Sequence, residues 1–433
     1  MLNVIIVGAG ISGLTCSIAL MKYTNVKVTI FERTMAMEKV GNGIQIPCNA
    51  AHAMRCLGLL DRLLAQSKRP ATSFKTVRYS GGETLLDMDF DRCNELYGAP
   101  WLLMHRADYM SILLVEARRL GVQINLGCEV QHVEFDTPSV TLADGQVHEA
   151  HVIVSCDGVN SMTRSLIHPS IRAASTGEYA YRALLTRSQL SSSSSFNHII
   201  STPSVLRCWL GPNANAILYP LQDGMIFNLV IPIADVTFNT FCNGKTNLLH
   251  HVRDWLRDWD PVLLEMLDVA GELVRFPMYQ VRALPHWTKG AVTLMGDAAH
   301  AMLPHLAQGA ATGVEDGYIL GTLLGLLAQH TTGSPDDSIL KRKIKTVLQS
   351  YEHLQHERTS RVVSNSRLTG TLDHLPDGPD QRARDAEFGL HRTDESVSAM
   401  PWIDARWNRE LLGRKVDEVT EREFHRLVAE GQL

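Results

Sequence analysis

Val4-Ile5-Ile6-Val7-Gly8-Ala9-Gly10-Ile11-Ser12-Gly13 opens the chain. Four consecutive apolar residues ending at a glycine are the pattern of a central parallel strand, buried on both faces. The glycines fall at the spacing Gly8-x-Gly10-x-x-Gly13. In that spacing the first allows a tight turn, the second lets backbone approach a pyrophosphate, and the third lets the next helix pack closely on the strand. Residues 14–21 supply the helix, whose N-terminal N–H groups and positive dipole end suit phosphate. Val26, Val28 and Ile30 then alternate into a second strand ending at Phe31-Glu32-Arg33, which completes a strand-helix-strand unit. Glu32 stands about 19 positions after the motif, where a carboxylate binds ribose hydroxyls. Its charge favours an unphosphorylated ribose, while the adjacent Arg33 speaks for the opposite.

Further downstream the chain returns twice to strands of the same buried kind. Residues 152–155 run into Cys156-Asp157-Gly158, and residues 291–295 run into Gly296-Asp297-Ala298-Ala299-His300. Helices are expected over 106–120, closed by Gly121 and followed by a short strand at 122–125, over 314–327, broken at 331–335, and over 340–372. The texture differs between about 175 and 280. Short strands at 205–210, 216–221 and 225–231, separated by Gly211-Pro212 and Asp223-Gly224, predict an antiparallel meander. Residues 74–79 and 83–90 form a hairpin around Gly81-Gly82.

The expected fold class is therefore α/β. A Rossmann-like dinucleotide-binding domain is assembled from residues 1–72, 100–172 and 282–372, the last of which ends in a long C-terminal helix. It is interleaved with a smaller substrate domain, residues 73–99 and 173–281, built on an antiparallel sheet. Residues 373–433 form a C-terminal arm whose stretch through Met400 is polar and poor in aliphatics, so it is either a wrapping arm or partly disordered. The run Ser191 to Ser195 reads as a mobile surface loop without function.

Bulk properties narrow the partners. At 433 residues the chain exceeds what one core supports, so two intertwined domains are expected. A net charge of -5 offers nothing to nucleic acid or an anionic membrane, which leaves a small-molecule substrate. The eight cysteines show no Cys-x-x-Cys pair and no zinc spacing; they read as buried thiols of a reducing, cytoplasmic compartment, with no metal site. The longest apolar stretch, about 319–328, is short of the roughly 18–20 residues that a membrane span needs. The opening apolar run lacks a basic leader and reads as a core strand, not a signal peptide.

Cys156-Asp157-Gly158-Val159-Asn160-Ser161-Met162-Thr163-Arg164 and Gly296-Asp297-Ala298-Ala299-His300, following the first glycine motif in this order, resemble the flavoprotein aromatic hydroxylases. These are single-component FAD-dependent monooxygenases typified by salicylate and 4-hydroxybenzoate hydroxylases. Within them the chain is most similar to the salicylate-hydroxylase-like enzymes of fungal secondary metabolism. The resemblance spans about residues 1–370.

That resemblance implies FAD as bound cofactor, NADPH or NADH as transient co-substrate and O2 as oxidant. The implied reaction hydroxylates an electron-rich aromatic or alkaloid through a flavin C4a-hydroperoxide. It implies Gly8, Gly10 and Gly13 beneath the pyrophosphate, and Glu32, with Arg33 beside it, at the adenosine ribose. Gly43, in Gly41-Asn42-Gly43-Ile44-Gln45-Ile46, brings backbone near the cofactor, and Arg106 pairs with its phosphates or ribityl chain. Asp157 handles FAD and the pyridine nucleotide. Asp297 accepts from ribityl hydroxyls and is free to cap a helix as well. The Gly309-Ala310 backbone approaches the isoalloxazine ring.

Arg182, in Tyr181-Arg182-Ala183, and Tyr219, in Ile217-Leu218-Tyr219-Pro220-Leu221, are the implied catalytic pair. The guanidinium stabilises an ionised substrate and the hydroxyl orients it. Ile217, Tyr219 and Leu221 alternate onto one face of their strand, so the apolar face of that sheet is the expected enclosure. His300 and His305 read as packing residues or as residues one layer behind the flavin.

Gly41-x-Gly43 neither follows a core strand nor opens a helix, so a single dinucleotide stays bound while NAD(P)H visits. Two other readings are open: epoxidation of an alkene or indole by the same chemistry, and a non-catalytic flavin-binding interaction module. Assembly is expected as monomer or homodimer. The chain departs from the family at Ala301, where proline is frequent, and in Gly313-Val314-Glu315-Asp316-Gly317, where the helix usually begins with more alanine; the arm after Asp373 matches poorly.

Overall fold

The computed structural model describes residues 1–37, 42–202, 204–331, 337–390 and 395–433. Gly41 and residues 332–335 of the expected helix break lie outside them. The opening run forms the strand Leu2–Val7 inside a six-stranded sheet. The strand order is Thr288–Lys289, Val292–Leu294, Val152–Ser155, Leu2–Val7, Val26–Glu32 and Gln123–Leu126, parallel throughout except for the first pair. Val7 is level with both Ser155 and Phe31. Gly8, Glu32 and Cys156 consequently leave the sheet at one edge, the carboxyl end where open α/β sheets bind ligands.

One face of this sheet is covered by the helices Ile11–Leu20 and Gly309–His330. Glycines recur every fourth residue along the second helix, from Gly309 to Gly325. A Cβ on Gly317 would lie 2.8 Å from Ser12 O and Cys16 N, and one on Gly321 would lie 2.7 Å from Cys16 O. The two helices touch backbone to backbone, which explains the glycines at these positions. The same packing overrides glycine's poor helix propensity, so the helix begins five residues before the expected position 314.

The opposite face carries a three-stranded meander, Val130–Glu134, Ser139–Leu142 and Val147–Glu149, whose Val133 and Val140 pack on Ile5, Val7 and Ile153. Sequence reading left this segment without an element. Strands of three to five residues that bury only alternate positions are too short to show a period.

The second sheet has seven strands in the order Val274–Gln280, Ala174–Thr186, Ile226–Ile233, Ala214–Leu221, Val205–Gly211, Ser73–Arg78 and Thr84–Asp89. The meander and the hairpin are present, but Val205–Gly211 runs parallel to Ser73–Arg78, so the sheet is not wholly antiparallel. These two strands come from distant segments, and no tight turn dictates their relative direction. On one face Tyr181, Trp209, Leu218, Phe227, Leu229 and Ile231 form a separate core under the helices Leu248–Trp255 and Pro261–Val269. The other face carries Arg182, Ile217 and Val230 as one cross-strand row.

One further expectation needs correction. The serine run is folded into short helical turns, and Ser193 and Ser195 both donate to Glu265, at 3.0 and 3.3 Å. Of the two readings of the arm, wrapping holds over disorder for the described residues. It contains the helices Pro379–Leu390, Ala405–Leu412 and Val416–Ala429, and it sends Phe388, Met400, Trp407, Leu411 and Phe424 into the main core. Few aliphatics are needed because large side chains carry the burial.

Polar clamps finish the attachment. Buried Glu315 receives two 2.7 Å hydrogen bonds from Arg358, lies 3.8 Å from Arg414 of the arm, and accepts from Asn49 at 2.6 Å. Burial pushes its pKa up, but the guanidinium groups and Asn49 outweigh that and hold it below the usual value. A depressed carboxylate stabilises the fold above its unfolded pKa of about 4.3 and loses that contribution as pH falls through the folded value. Acidification below about pH 4.3 is therefore expected to loosen the arm, and Glu315→Gln to weaken this acid dependence. Limited proteolysis of the arm across pH checks both.

Candidate active site

A cavity of about 380 Å³ lies between the two sheets. Gly10, Gly13, Gly43, Arg106, Arg182, Tyr219, Asp297, Gly309 and Ala310 all line it. Gly8, Glu32, Arg33 and Asp157 do not. Gly8 has φ +103°, and a Cβ there would sit 2.5 Å from Cys156 O; a Cβ on Gly13 would sit 2.2 Å from Gly8 O. Around Gly10 nothing lies within 4 Å of such an atom, so the turn is closed behind and open in front. Glu32 braces this turn, accepting from Ala9 N at 2.8 Å and Thr34 N at 2.9 Å, and Arg33 is exposed.

The helices Ile11–Leu20 and Gly309–His330 both begin at the cavity, with no side-chain cap and no acidic residue in the first turn. Their first N–H groups and positive dipole ends are left for an anionic or carbonyl-bearing ligand. Gly309 and Ala310, which lie ahead of the helix expected over 314–327, are the first residues of the second helix.

Asp157 faces inward to its own turn, accepting from Ser155 Oγ at 2.9 Å and Thr163 N at 3.1 Å. Gly158 lines the cavity in its place. Sequence reading gave no role to Arg164, which is buried and donates to Ala298 O at 3.0 Å and Val159 O at 2.5 Å. It joins the two Asp-containing turns.

Asp297 is accessible from the cavity but enclosed by protein, and this desolvation raises its pKa above the usual carboxylate value. Its turn is held by a second residue missed in the sequence, Asp316. One Asp316 oxygen accepts from Gly296 N at 3.0 Å and meets His300 Nε2 at 2.6 Å, and the other accepts from Gln355 at 2.6 Å. Burial opposes a charged His300, but Asp316 outweighs it and raises the imidazole pKa.

On the facing sheet, burial lowers the Arg182 pKa and pushes the Tyr219 phenol up, so the tyrosine is neutral at ordinary pH. Arg182 lies 5.3 Å from the Phe276 ring centre, and its buried Nε has no hydrogen-bond partner. Gly43 N donates to Asn228 at 2.9 Å, and a Cβ on Gly43 would lie 2.6 Å from the Tyr219 ring. The glycine admits the tyrosine, a reason invisible in the sequence. The strand Gly43–Ile46 pairs with Leu102–His105, which delivers Arg106 to the cavity.

The model of a family described as FAD-binding domain matches residues 1–366. The chain belongs to this family. It is 30% identical over 408 residues to the FAD-dependent monooxygenase OpS4 of Beauveria bassiana, covering 93% of this chain and 92% of that one. To the 3-amino-4-hydroxybenzoate 2-monooxygenase PtmB3 of Streptomyces platensis it is 29% identical over 402 residues, 93% and 95% of the two chains. Among solved structures, a salicylate hydroxylase substrate complex has a TM-score of 0.76 at 20% identity, covering 98% of each chain. CtdE with FAD and a substrate has a TM-score of 0.77 at 19%, covering 100% of each. The protein is thus an FAD-dependent monooxygenase with the salicylate-hydroxylase-like fold.

No described helix of this monooxygenase is long and apolar enough to cross a membrane. One cluster of metal-ligand type stands among the described residues: His52, Cys56 and Asp417. Burial and Asp417 push the Cys56 thiol up to about 12, and His52 Nδ1 lacks the acceptor that usually orients a ligating imidazole. The cluster is a clamp between arm and core, with His52 Nε2 2.8 Å from Asp417.

Proposed function

We propose that this enzyme hydroxylates an electron-rich aromatic, a phenol or a phenol-like polyketide or alkaloid intermediate, at the cost of NAD(P)H and O2. The supporting observation is the convergence in one cavity of Arg182 and a neutral Tyr219 from the facing sheet with Arg106, two uncapped helix starts and Asp297. The 3-amino-4-hydroxybenzoate and 3-hydroxybenzoate oxygenases among the relatives point the same way.

The residues fit FAD. The open face of Gly10 and the first helix start would take the pyrophosphate, Arg106 would neutralise it or meet the ribityl chain, and Asp297 would accept ribityl hydroxyls. Gly309 and Ala310 N–H groups would meet the carbonyl edge of the ring system. Glu32 would reach the ribose with the lone pairs its backbone contacts leave free. When bound, FAD takes hydride from NAD(P)H and delivers an oxygen atom from O2. Arg182 holds the substrate as its anion, Tyr219 orients it, and Ile217, Val230 and Pro232 exclude water. The eight free cysteines support a reducing, cytoplasmic setting.

NAD(P)H oxidation, O2 uptake and product mass across a panel of phenols test this reading. Stoichiometric hydroxylated product from at least one phenol supports it; NAD(P)H oxidation that yields only peroxide with all of them contradicts it. Glu32→Ala is expected to weaken FAD binding by about 1–3 kcal/mol, the loss of a charge-assisted acceptor, measured as the FAD dissociation constant.

A further inference from the structure

An ionised substrate must give up a proton, and the cavity holds few groups to take it. Its titratable lining residues are Arg106, Cys156, Arg182, Tyr219, Asp297 and His305. Arginines donate and do not accept. Burial keeps Cys156 and Tyr219 protonated, and Asp297 is assigned to the cofactor. His305 remains.

Its surroundings are those of a group held for use. The side chain is 1% exposed, yet neither ring nitrogen has a hydrogen-bond partner. Nε2 lies 3.6 Å from Glu178 Oε2, itself buried and unpartnered. The ring stands edge-on to His374, with centroids 5.2 Å apart, and it fits because residue 370 is glycine: a Cβ there would be 2.5 Å from Nε2. The charged or titratable groups around it are Glu178 on the strand Ala174–Thr186, Asp373 and His374 at the end of the long helix Asp337–Asp373, and Arg384 of the arm acting on Asp373. His374 is held neutral by burial, with its Nε2 2.8 Å from Asn215 Oδ1, and burial pushes Asp373 up to about 6. Glu178 differs from both, because 19% of its side chain meets solvent.

We propose that His305 and Glu178 form a proton exit from the substrate cavity. Nδ1 of His305 takes the proton of the substrate hydroxyl while Arg182 receives the oxyanion. Nε2 passes its own proton to Glu178 Oε2, and Glu178 releases it to solvent. One O–H bond breaks at the substrate and one N–H forms; one N–H then breaks and one O–H forms at Glu178; that O–H breaks as the proton passes to water, with no electron transfer. This rests on the phenol reading, and it revises His305 from a packing residue to one that touches the substrate.

The test uses FAD-loaded enzyme without NAD(P)H and 4-nitrophenol as probe. Binding is read from the flavin spectrum, ionisation from the visible absorption of the phenolate, and proton release from an indicator dye in stopped flow. Wild type is expected to bind the phenol as phenolate and release its proton. Glu178→Gln, nearly isosteric, is expected to bind it but slow release by roughly 10²-fold, and His305→Gln to leave it protonated at pH values where wild type holds the phenolate. Wild-type release rates in both variants would overturn the proposal, as would a phenol that binds wild type without ionising. A probe that leaves the wild-type flavin spectrum untouched would contradict the phenol reading and the exit with it.

Discussion

Asp316→Ala is expected to destabilise the enzyme by about 3–5 kcal/mol and to empty it of FAD. Removing one partner of a buried ion pair leaves the other charge without compensation, which is costlier than losing the pair as a unit. Here the change strips His300 of its 2.6 Å partner and leaves Gly296 N–H and the Gln355 amide without their acceptor. The turn that presents Asp297 therefore loses its support. Asp316→Asn keeps the shape and removes the charge, so it should fall between the two. Because the pair raises the His300 pKa, its contribution is complete below about pH 6.5 and is lost as pH rises through the folded value. Urea midpoints and FAD content at two pH values check the sign and the size.

Arg182→Ala is the second large effect. Arg182 comes from the seven-stranded sheet, not from the glycine turns, so FAD should stay bound. The substrate oxyanion would lose its cation in a water-poor site, where truncating one member of a buried charge pair costs about 2–5 kcal/mol. At about 1.4 kcal/mol per tenfold, kcat/KM should drop by at least about thirtyfold. NAD(P)H oxidation should yield a larger share of hydrogen peroxide, since a poorly held substrate misses the oxygen atom. Tyr219→Phe should act in the same direction and more weakly, because it removes orientation and leaves the charge. Product-to-NAD(P)H ratios in the three enzymes check this; full coupling in Arg182→Ala would remove Arg182 from the site.

The fold was legible where physics is local. A buried strand ending in spaced glycines, an alternating second strand and turn signals at close spacing each carry their own period, and each reappears in the two sheets. What escaped the sequence depends on distant contacts. Arg164 acts on Ala298, Gly43 on Asn228 and Tyr219, and Asp316 on Gly296 and Gln355, and none of these pairings has a local pattern. The arm was left between two readings for a related reason: its polar composition hides Trp407, Phe424 and Phe388, whose burial shows only after the partner surface exists. Asp157 shows the reverse limit. An aspartate before glycine reads the same whether it serves a ligand or its own turn, and here it holds Thr163 N and Ser155 Oγ.

Turnover of a phenol under ¹⁸O₂ tests the central claim most directly. One labelled oxygen atom in the product, with NAD(P)H consumed in equal amount, is the result expected of an enzyme that seats an aromatic anion between Arg182 and FAD. Product oxygen drawn from water, or label recovered only as peroxide with every phenol, would contradict it.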